Sequence, residues 1–348
     1  MPIFRRKNVG IVRLTEGFMP VTAQQFDAFS PFFKSFEKLH KFPRFYQSII
    51  EMAQFQSIPR FYWGIVEECL IIAWRKSLGN FVIMLKLPPI SRDGDADLEK
   101  SVLEMFRSAG ASVQVSKYDM EVYGYTKSDV NRDHKWLDEY VYAASKYGGG
   151  MSGGKLARQR NKVNKARKLE DDGIIRTIHT NKMTLSEFRK CDDVYKNWSL
   201  LKDHHGMPSA HLQFRKAKRS DNLILTYIEH ADTGEIIIWG VTERVGDKSV
   251  IITSRIQNYK QTVVKDPDCY IHHKESKYWM DIAGEDTMMN FGAGITENLS
   301  THKKRLNPFI IMSRYKLPAL RTVTKDEWHE CCPNRFSVDQ NVGLGVQL

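Results

Sequence analysis

The sequence predicts an α+β chain in which two successive units of similar element order are joined by a basic helix. Three observations predict it. Residues 58–142 read as strand, strand, strand, helix, strand. Residues 185–317 read as helix, three antiparallel strands, helix, strand, helix, strand. Between them, a glycine-rich bend feeds a helix that carries Lys155, Arg158, Arg160, Lys162, Lys165, Arg167 and Lys168 with no acid until Glu170. At 348 residues the chain is long enough for two cores. The repeat is one of element order, not of residue-level self-similarity.

Residues 1–57 predict a short strand at Val9–Leu14 and then helices, in which Phe26, Phe29, Phe32, Phe33 and Phe36 form a core-packing stripe. Phe61–Glu67, Cys69–Trp74 and Phe81–Leu87 are apolar or alternating runs rich in β-branched and aromatic residues, as strands are. Leu98, Val102, Met105 and Phe106 share one face of a helix over Leu98–Ala109, and Val113 and Val115 open another strand. In the basic helix Leu156, Val163, Ala166 and Leu169 make one narrow apolar stripe. Leu185–Leu201 is the next helix, with Leu185, Phe188, Val194, Tyr195 and Trp198 inward. Asp203–Asn222 reads as a polar loop. Leu223–Glu229 and Ile236–Thr242 form a hairpin across Asp232-Thr233-Gly234, and Val250–Gln257 follows. Tyr270–Ala283 is helical, Thr287–Phe291 a strand, Ile295–Arg305 a helix stopped by Asn307-Pro308, and Phe309–Leu317 the last strand.

The composition, 42% hydrophobic and 27% charged, is that of an ordinary globular protein. A net charge of +11 favours a polyanionic partner such as nucleic acid, nucleotide phosphates or an anionic surface. No run approaches the ~20 apolar residues of a spanning helix, so no transmembrane association is expected. Cys69, Cys191, Cys269, Cys331 and Cys332 have neither disulfide nor metal spacing, and their odd number with an adjacent pair suits a reducing cytoplasm. His204, His205 and His211 lack the cysteine or carboxylate spacing of a metal site, and His272 and His273 read as local packing or surface, so no metal and no cofactor are expected.

Two motifs carry a resemblance. The first is a tyrosine-bearing strand, a glycine–lysine bend and Arg-Asn-x-aliphatic-Asn: Tyr140, Tyr142, Met151, Gly153, Lys155, Arg160, Asn161, Val163 and Asn164, with Gly154 as an extra residue. The second places Asn290 and Gly292 at a strand end, Leu299 with Lys303 or Lys304 on a helix, and Pro308 before a strand reaching Tyr315. Together, over residues 58–318, they resemble the phosphatidylglycerol lysyltransferase C-terminal domain family. The element order is likewise similar to the GNAT acyltransferase core.

The resemblance implies two tandem GNAT-like domains and transfer of an aminoacyl group, which the family's best-known members take from aminoacyl-tRNA and give to a lipid. Related peptidoglycan-bridge transferases also use aminoacyl-tRNA, and some phage GNAT-like proteins modify DNA bases. The expected divisions are an N-terminal helical extension packing on the first domain (1–57), a first, degenerate GNAT-like domain (58–150), the linker helix (151–180), a second domain holding the site (181–318) and a C-terminal extension (319–348).

In a GNAT-like unit two neighbouring parallel strands splay and expose backbone groups to the acyl donor. By order these are Val250–Gln257 and Thr287–Phe291. That implies substrate contacts from Ser254, Arg255, Gln257, Gly292 and Gly294, with Tyr259 as proton donor and Asn290 as oxyanion partner. Glu243 and Asp281 are alternative bases. The coenzyme-A loop of such units is glycine-rich, whereas Gln257-Asn258-Tyr259-Lys260-Gln261-Thr262 has no glycine, which argues against that donor. Lys155, Arg158, Arg160, Asn161, Lys162, Asn164, Lys165, Lys303, Lys304 and Arg305 are the expected phosphate contacts if the two basic segments converge.

The expected function is transfer of an amino acid or acyl unit with nucleic acid as substrate, either aminoacyl-tRNA as donor or a modified DNA base as acceptor. The competing readings are a catalytically silent nucleic-acid-binding protein on this scaffold and an acetyl-CoA-dependent N-acetyltransferase.

Overall fold

The computed structural model describes residues 11–15, 17–53, 61–78, 80–130, 138–201, 210–217, 219–294 and 297–323. His204, His205, Cys331, Cys332 and most of the C-terminal extension lie outside these. The chain begins with α1 (Ile11–Leu14), β1 (Met19–Pro20), α2 (Phe26–His40) and α3 (Ile49–Ala53). Then come β2 (Phe61–Val66), β3 (Cys69–Leu78), β4 (Asn80–Leu85), β5 (Ile90–Ser91), α4 (Ala96–Ser108), β6 (Ser112–Ser116), α5 (Lys117–Tyr123) and β7 (Asp138–Ala143). A short α6 (Ala144–Gly148) and the bend lead into the basic helix α7 (Ala157–Asp171). The rest is β8 (Ile175–Thr180), α8 (Leu185–Leu201), α9 (Ala210–Lys216), β9 (Leu223–His230), β10 (Ile236–Arg244), β11 (Ser249–Gln257), α10 (Pro267–Ala283), β12 (Met288–Ala293), α11 (Glu297–Arg305) and β13 (Ile310–Leu317).

Two local expectations change. Val9–Leu14 was expected as a strand, but Ile11–Leu14 is a helical turn closed by Thr15, whose N–H and hydroxyl both donate to the Ile11 carbonyl. Ile11 and Leu14 are thereby buried together in one core, a helical spacing. The loop expected over Asp203–Asn222 contains α9, because Ala210 and Phe214 lie one turn apart and bury against α8 and the sheet.

All the strands belong to one sheet in the order β1-β2-β3-β4-β6-β13-β7-β12-β11-β10-β9-β8, with β5 on β3. The two halves exchange their closing strands. β7, which ends the first half in sequence, pairs antiparallel with β12. β13, which ends the second half, crosses back to pair antiparallel with β6 and also with β7. The sheet is therefore continuous where two contiguous domains, 58–150 and 181–318, were expected.

The N-terminal segment packs on both halves, not on the first alone. Phe29, Phe33 and Phe36 pack with Leu70 and Ile72 of β3 but also with Val245 and Ile251 near β10 and β11. Glu37 accepts hydrogen bonds from the Asp247 and Lys248 amides and the Ser249 hydroxyl. Buried on the first half, His40 meets Asp119 at 2.7 Å and Glu99 at 3.3 Å, and Arg44 pairs with Asp119 at 2.7 Å. Residues 42–53 are thus strapped across the junction.

The basic helix behaves as its stripe predicts. Leu156, Val163 and Ala166 are buried with Tyr140, Tyr142, Tyr270 and Leu306, and Leu169 packs partly against them. Where α6 meets α10 only glycine fits: a Cβ on Gly148 would stand 2.8 Å from the Lys277 backbone. Among the described residues no helix is long and apolar enough to cross a membrane.

Candidate functional site

β11 and β12 run parallel and pair over Ser249–Met288, Val250–Met289 and Ile251–Asn290, and then separate. Two devices part them. A bulge shifts the β10–β11 register between Val241 and Thr242. On the other strand Asn290 folds its side chain back so that Oδ1 accepts from the Gly292 amide at 2.7 Å, and Gly292 takes φ +66°. Only glycine suits that position, because a Cβ there would also meet the Phe45 ring at 2.7 Å. β12, paired with β7 on its other side from Met288 to Ala293, consequently bulges between Asn290 and Ala293 where it parts from β11.

The opening is a cleft of about 390 Å³. Ile252–Arg255 of β11, Phe291–Ala293 of β12, Asp268 of α10, Leu299, His302 and Lys303 of α11, and Arg314 of β13 line it. Phe45, Tyr46 and Glu51 from the N-terminal strap close it.

Arg255 anchors its charged wall. Its Nη2 lies 2.5 Å from Glu275 Oε2, its Nη1 lies 3.4 Å from Asp268 Oδ1, and its guanidinium stacks 4.4 Å from the Phe291 ring centre. Burial opposes ionisation of Asp268, but the charge of Arg255 and the hydrogen bond from His302 outweigh it and hold the carboxyl well below the usual range. His302 Nε2 is 3.1 Å from Asp268 Oδ2, and the imidazole remains half exposed at the cleft. Behind this wall His272 accepts from Arg255 through Nδ1, and burial, reinforced by Arg255, keeps it neutral.

The residues expected at the site divide. Ser254, Arg255 and Gly292 line the cleft together. Gln257 lies at the far end of β11 and Gly294 just beyond β12, where a Cβ would stand 2.8 Å from Ser300 Cα; neither lines the cleft. Tyr259 is on the turn after β11, 49% exposed and outside the lining, so the proton-donor role has no geometric footing there. Asn290 does not fit the role of oxyanion partner. Its amide donates to Pro43 O at 2.8 Å and Glu139 Oε2 at 2.6 Å, which engages both N–H groups. It is the hinge of the splay. Asn290→Ala is expected to destabilise the fold by about 2 kcal/mol by removing hydrogen bonds to the buried Pro43 carbonyl and to Glu139, which keeps Arg314 and the Phe45 amide, read as a lowered thermal midpoint; unchanged stability with lost activity would restore a direct role. Glu243 is buried beneath α3, and Asp281 lies on the outer side of α10 beside Lys277; neither lines the cleft.

The expected phosphate contacts divide as well. Arg158, Asn161, Lys162 and Lys165 line a groove of about 670 Å³ with Ala166, Leu169 and the segment Val263–Asp266, which contributes another cation, Lys265. Lys162 pairs with Asp266 at 3.0 Å. Lys155 and Asn164 are exposed outside that lining, and Arg160 turns back to donate to the Met151 carbonyl at 2.7 Å. Lys303 is not a surface phosphate contact. It is buried, donating to the Phe291 and Ala293 carbonyls, and burial lowers it to about 8. Lys304 and Arg305 are exposed at the end of α11, and Gln159 of α7 donates to the Arg305 carbonyl at 2.8 Å, so the two basic segments do meet. The groove ends at Asp266, two residues before Asp268 enters the cleft.

Sequence reasoning missed Asp268, His302, Lys265, Arg314 and the whole strap contribution. The strap was set aside as an extension, and Asp268 and His302 meet only because α10 and α11 converge. The one signal for Asp268 is its place after Pro267 in the first turn of a helix. Among the described residues no three His, Cys, Asp or Glu side chains cluster to hold a metal ion.

The splayed parallel pair, the bulge opposite it and the duplicated element order define a tandem GNAT-like fold. No family model and no curated protein matches the sequence. Among solved structures, a conserved protein of unknown function from Bacteroides thetaiotaomicron aligns at a TM-score of 0.64 and 14% identity, over 86% of this chain and 98% of that one. The C-terminal domain of a putative lysylphosphatidylglycerol synthetase from Agrobacterium fabrum aligns at 0.56 and 10% identity, covering 87% and 94%. L-PGS from Bacillus licheniformis aligns at 0.54 and 12% identity, covering 84% and 92%. At these identities the likeness is one of fold, and it is the fold implied by the motifs at Tyr140–Asn164 and Asn290–Tyr315.

Proposed function

We propose that the chain transfers an amino acid or acyl unit from an activated ester to an amine or hydroxyl, and that the carrier of the ester is a nucleic acid gripped by the α7 groove. The observation that carries this is the placement of two features: a cationic groove bearing Arg158, Lys162, Lys165 and Lys265 ends at Asp266, two residues before Asp268, which lines the cleft between β11 and β12. An activated donor needs positioning and stabilisation of the developing oxyanion more than a strong base. Past Ile251, β11 has lost its β12 partner and offers backbone groups for that purpose. One of the proteins sharing the fold is the C-terminal domain of a putative lysylphosphatidylglycerol synthetase, which supports an aminoacyl unit.

The loop after β11 speaks against coenzyme A. Three of its amides are engaged internally: Asn258 N donates to Ile237 O, Lys260 N to Asn258 Oδ1 and Val264 N to Gln261 Oε1. A pyrophosphate cradle needs such amides free. The aminoacyl-tRNA donor is favoured over a DNA-base acceptor because a phosphate chain held by the groove would end beside the start of α10, whose Asp268 lines the cleft.

The test is incubation of the full chain with tRNA charged with labelled amino acids, with modified DNA, and with acetyl-CoA, each beside amine and phosphatidylglycerol acceptors. Mass spectrometry then locates the label. Label moving only from acetyl-CoA would overturn the nucleic-acid reading. The variant Lys162→Glu/Lys165→Glu is expected to weaken binding of charged tRNA at least tenfold and to flatten its salt dependence by roughly two phosphate contacts. Equal binding by wild type and variant, read by filter retention across a salt series, would remove the groove from the site.

A further inference from the structure

The cleft wall contains a proton-transfer arrangement that the splayed backbone does not supply. Asp268 is a carboxylate, held ionised by Arg255, and a carboxylate only accepts hydrogen bonds. The His302 nitrogen facing it at 3.1 Å, Nε2, must therefore carry hydrogen, so in the neutral ring Nδ1 is the nitrogen with the lone pair. Arg255, which holds Asp268, is in turn fixed from behind by Glu275, so the imidazole is supported by a chain of three charged groups. His302 sits on the last turns of α11, next to Lys303, and both side chains line the cleft. The charged groups around it are Asp268 and, along the same wall, Arg255, Lys303, Arg314 and Glu51.

Resting on the transferase reading above, we propose that His302 is the general base of the transfer step and that Asp268 is its positioning residue. The acceptor amine attacks the carbonyl carbon of the ester, and the new N–C bond forms. The C–O bond to the carrier breaks. The proton released from nitrogen passes to His302 Nδ1 and then to the departing carrier oxygen, so the step balances with an ester donor and an amine acceptor alone. Tyr259 and Asn290 have no part in it.

The experiment uses the full chain and a carrier-free donor, an aminoacyl ester of adenosine, which has no phosphate for the groove to hold. Amide formation with a small primary amine is followed at several pH values. His302→Asn is expected to lower kcat by about 10²–10⁴-fold with KM little changed. His302→Ala should recover part of the rate when imidazole is added. Asp268→Asn should lower kcat less than His302→Asn, again with KM little changed, and Asp268→Glu should recover part of the loss. A merely structural role would show neither that loss confined to kcat nor the imidazole response.

A wild-type kcat in His302→Asn, in a variant whose thermal midpoint is unchanged, overturns the assignment of the base and leaves the transferase reading standing. Turnover of the adenosine ester with His302 dependence, but none with charged tRNA, supports the base and overturns the nucleic-acid carrier. No wild-type turnover of any ester overturns both.

Discussion

Arg255→Met is expected to lower the free energy of unfolding by about 3–5 kcal/mol. The guanidinium is buried and shared between Glu275, which is fully buried, and Asp268 at the cleft. Burial opposes its charge, but the two carboxylates outweigh that and raise its pKa above the ordinary guanidinium value. Methionine would keep much of the packing on Phe291 while leaving both carboxylates without their cation. The surroundings are tight: a Cβ on Gly240 would stand 2.6 Å from Glu275 Oε1, so there is little space for water to enter. Urea unfolding reads the effect. Arg255→Met/Glu275→Gln should recover a large part of the loss, because one of the stranded charges is gone. A single variant within about 1 kcal/mol of wild type would mean that the pair does not hold the wall, and the support claimed for Asp268 would go with it.

Measured against Glu243→Gln, stability should fall as pH rises from 5 to 8, by about 3 kcal/mol, through Glu243. This carboxyl of β10 is buried against the start of α3, accepting from the Ser48 hydroxyl at 2.7 Å and the Ile49 amide at 2.8 Å. Burial is the larger influence and raises it from 4.5 to about 7, the hydrogen bonds from Ser48, Ile49 and Ile50 opposing and Glu51 adding to the rise. The folded value lies above the unfolded one. The contribution is therefore complete below about 4.5 and is lost as pH climbs through about 7. Glu243→Gln keeps an acceptor for Ile49 and cannot titrate, so the advantage of wild type over the variant in denaturant midpoint should shrink over that window, the other titrating groups being common to both. Parallel slopes for the two would show that another group is responsible. The strap held here carries Tyr46 and Glu51 into the cleft, so activity is expected to track the same titration.

Much of the local structure was legible. α8 spans Leu185–Leu201 as its periodicity predicts and turns Phe188, Val194, Tyr195 and Trp198 inward, but Leu185, also expected inward, stands exposed at the first residue of the helix, beyond the reach of the sheet; Leu156, Val163 and Ala166 of α7 turn inward as expected. The parallel pair β11 and β12 was named in advance, and Ser254, Arg255 and Gly292 do line its opening. The Asn290-x-Gly292 motif was visible but its purpose was not. An asparagine at a strand end reads as a free hydrogen-bonding group until the Pro43 carbonyl and Glu139 are found on its amide. Lys303 likewise reads as a surface cation until the Phe291 carbonyl is found on its ammonium.

From the chain alone came the order of elements, the inward faces of the helices and the two acid-free basic stretches, because each is set by contacts within a few residues and so leaves a periodic trace. The tertiary structure alone decided that β7 and β13 trade places, that the 42–53 strap seals the cleft and that His302 meets Asp268. Two strands of similar alternation offer the same backbone donors and acceptors to any edge, so their partners are chosen by which faces must be buried together, and that choice has no period to read.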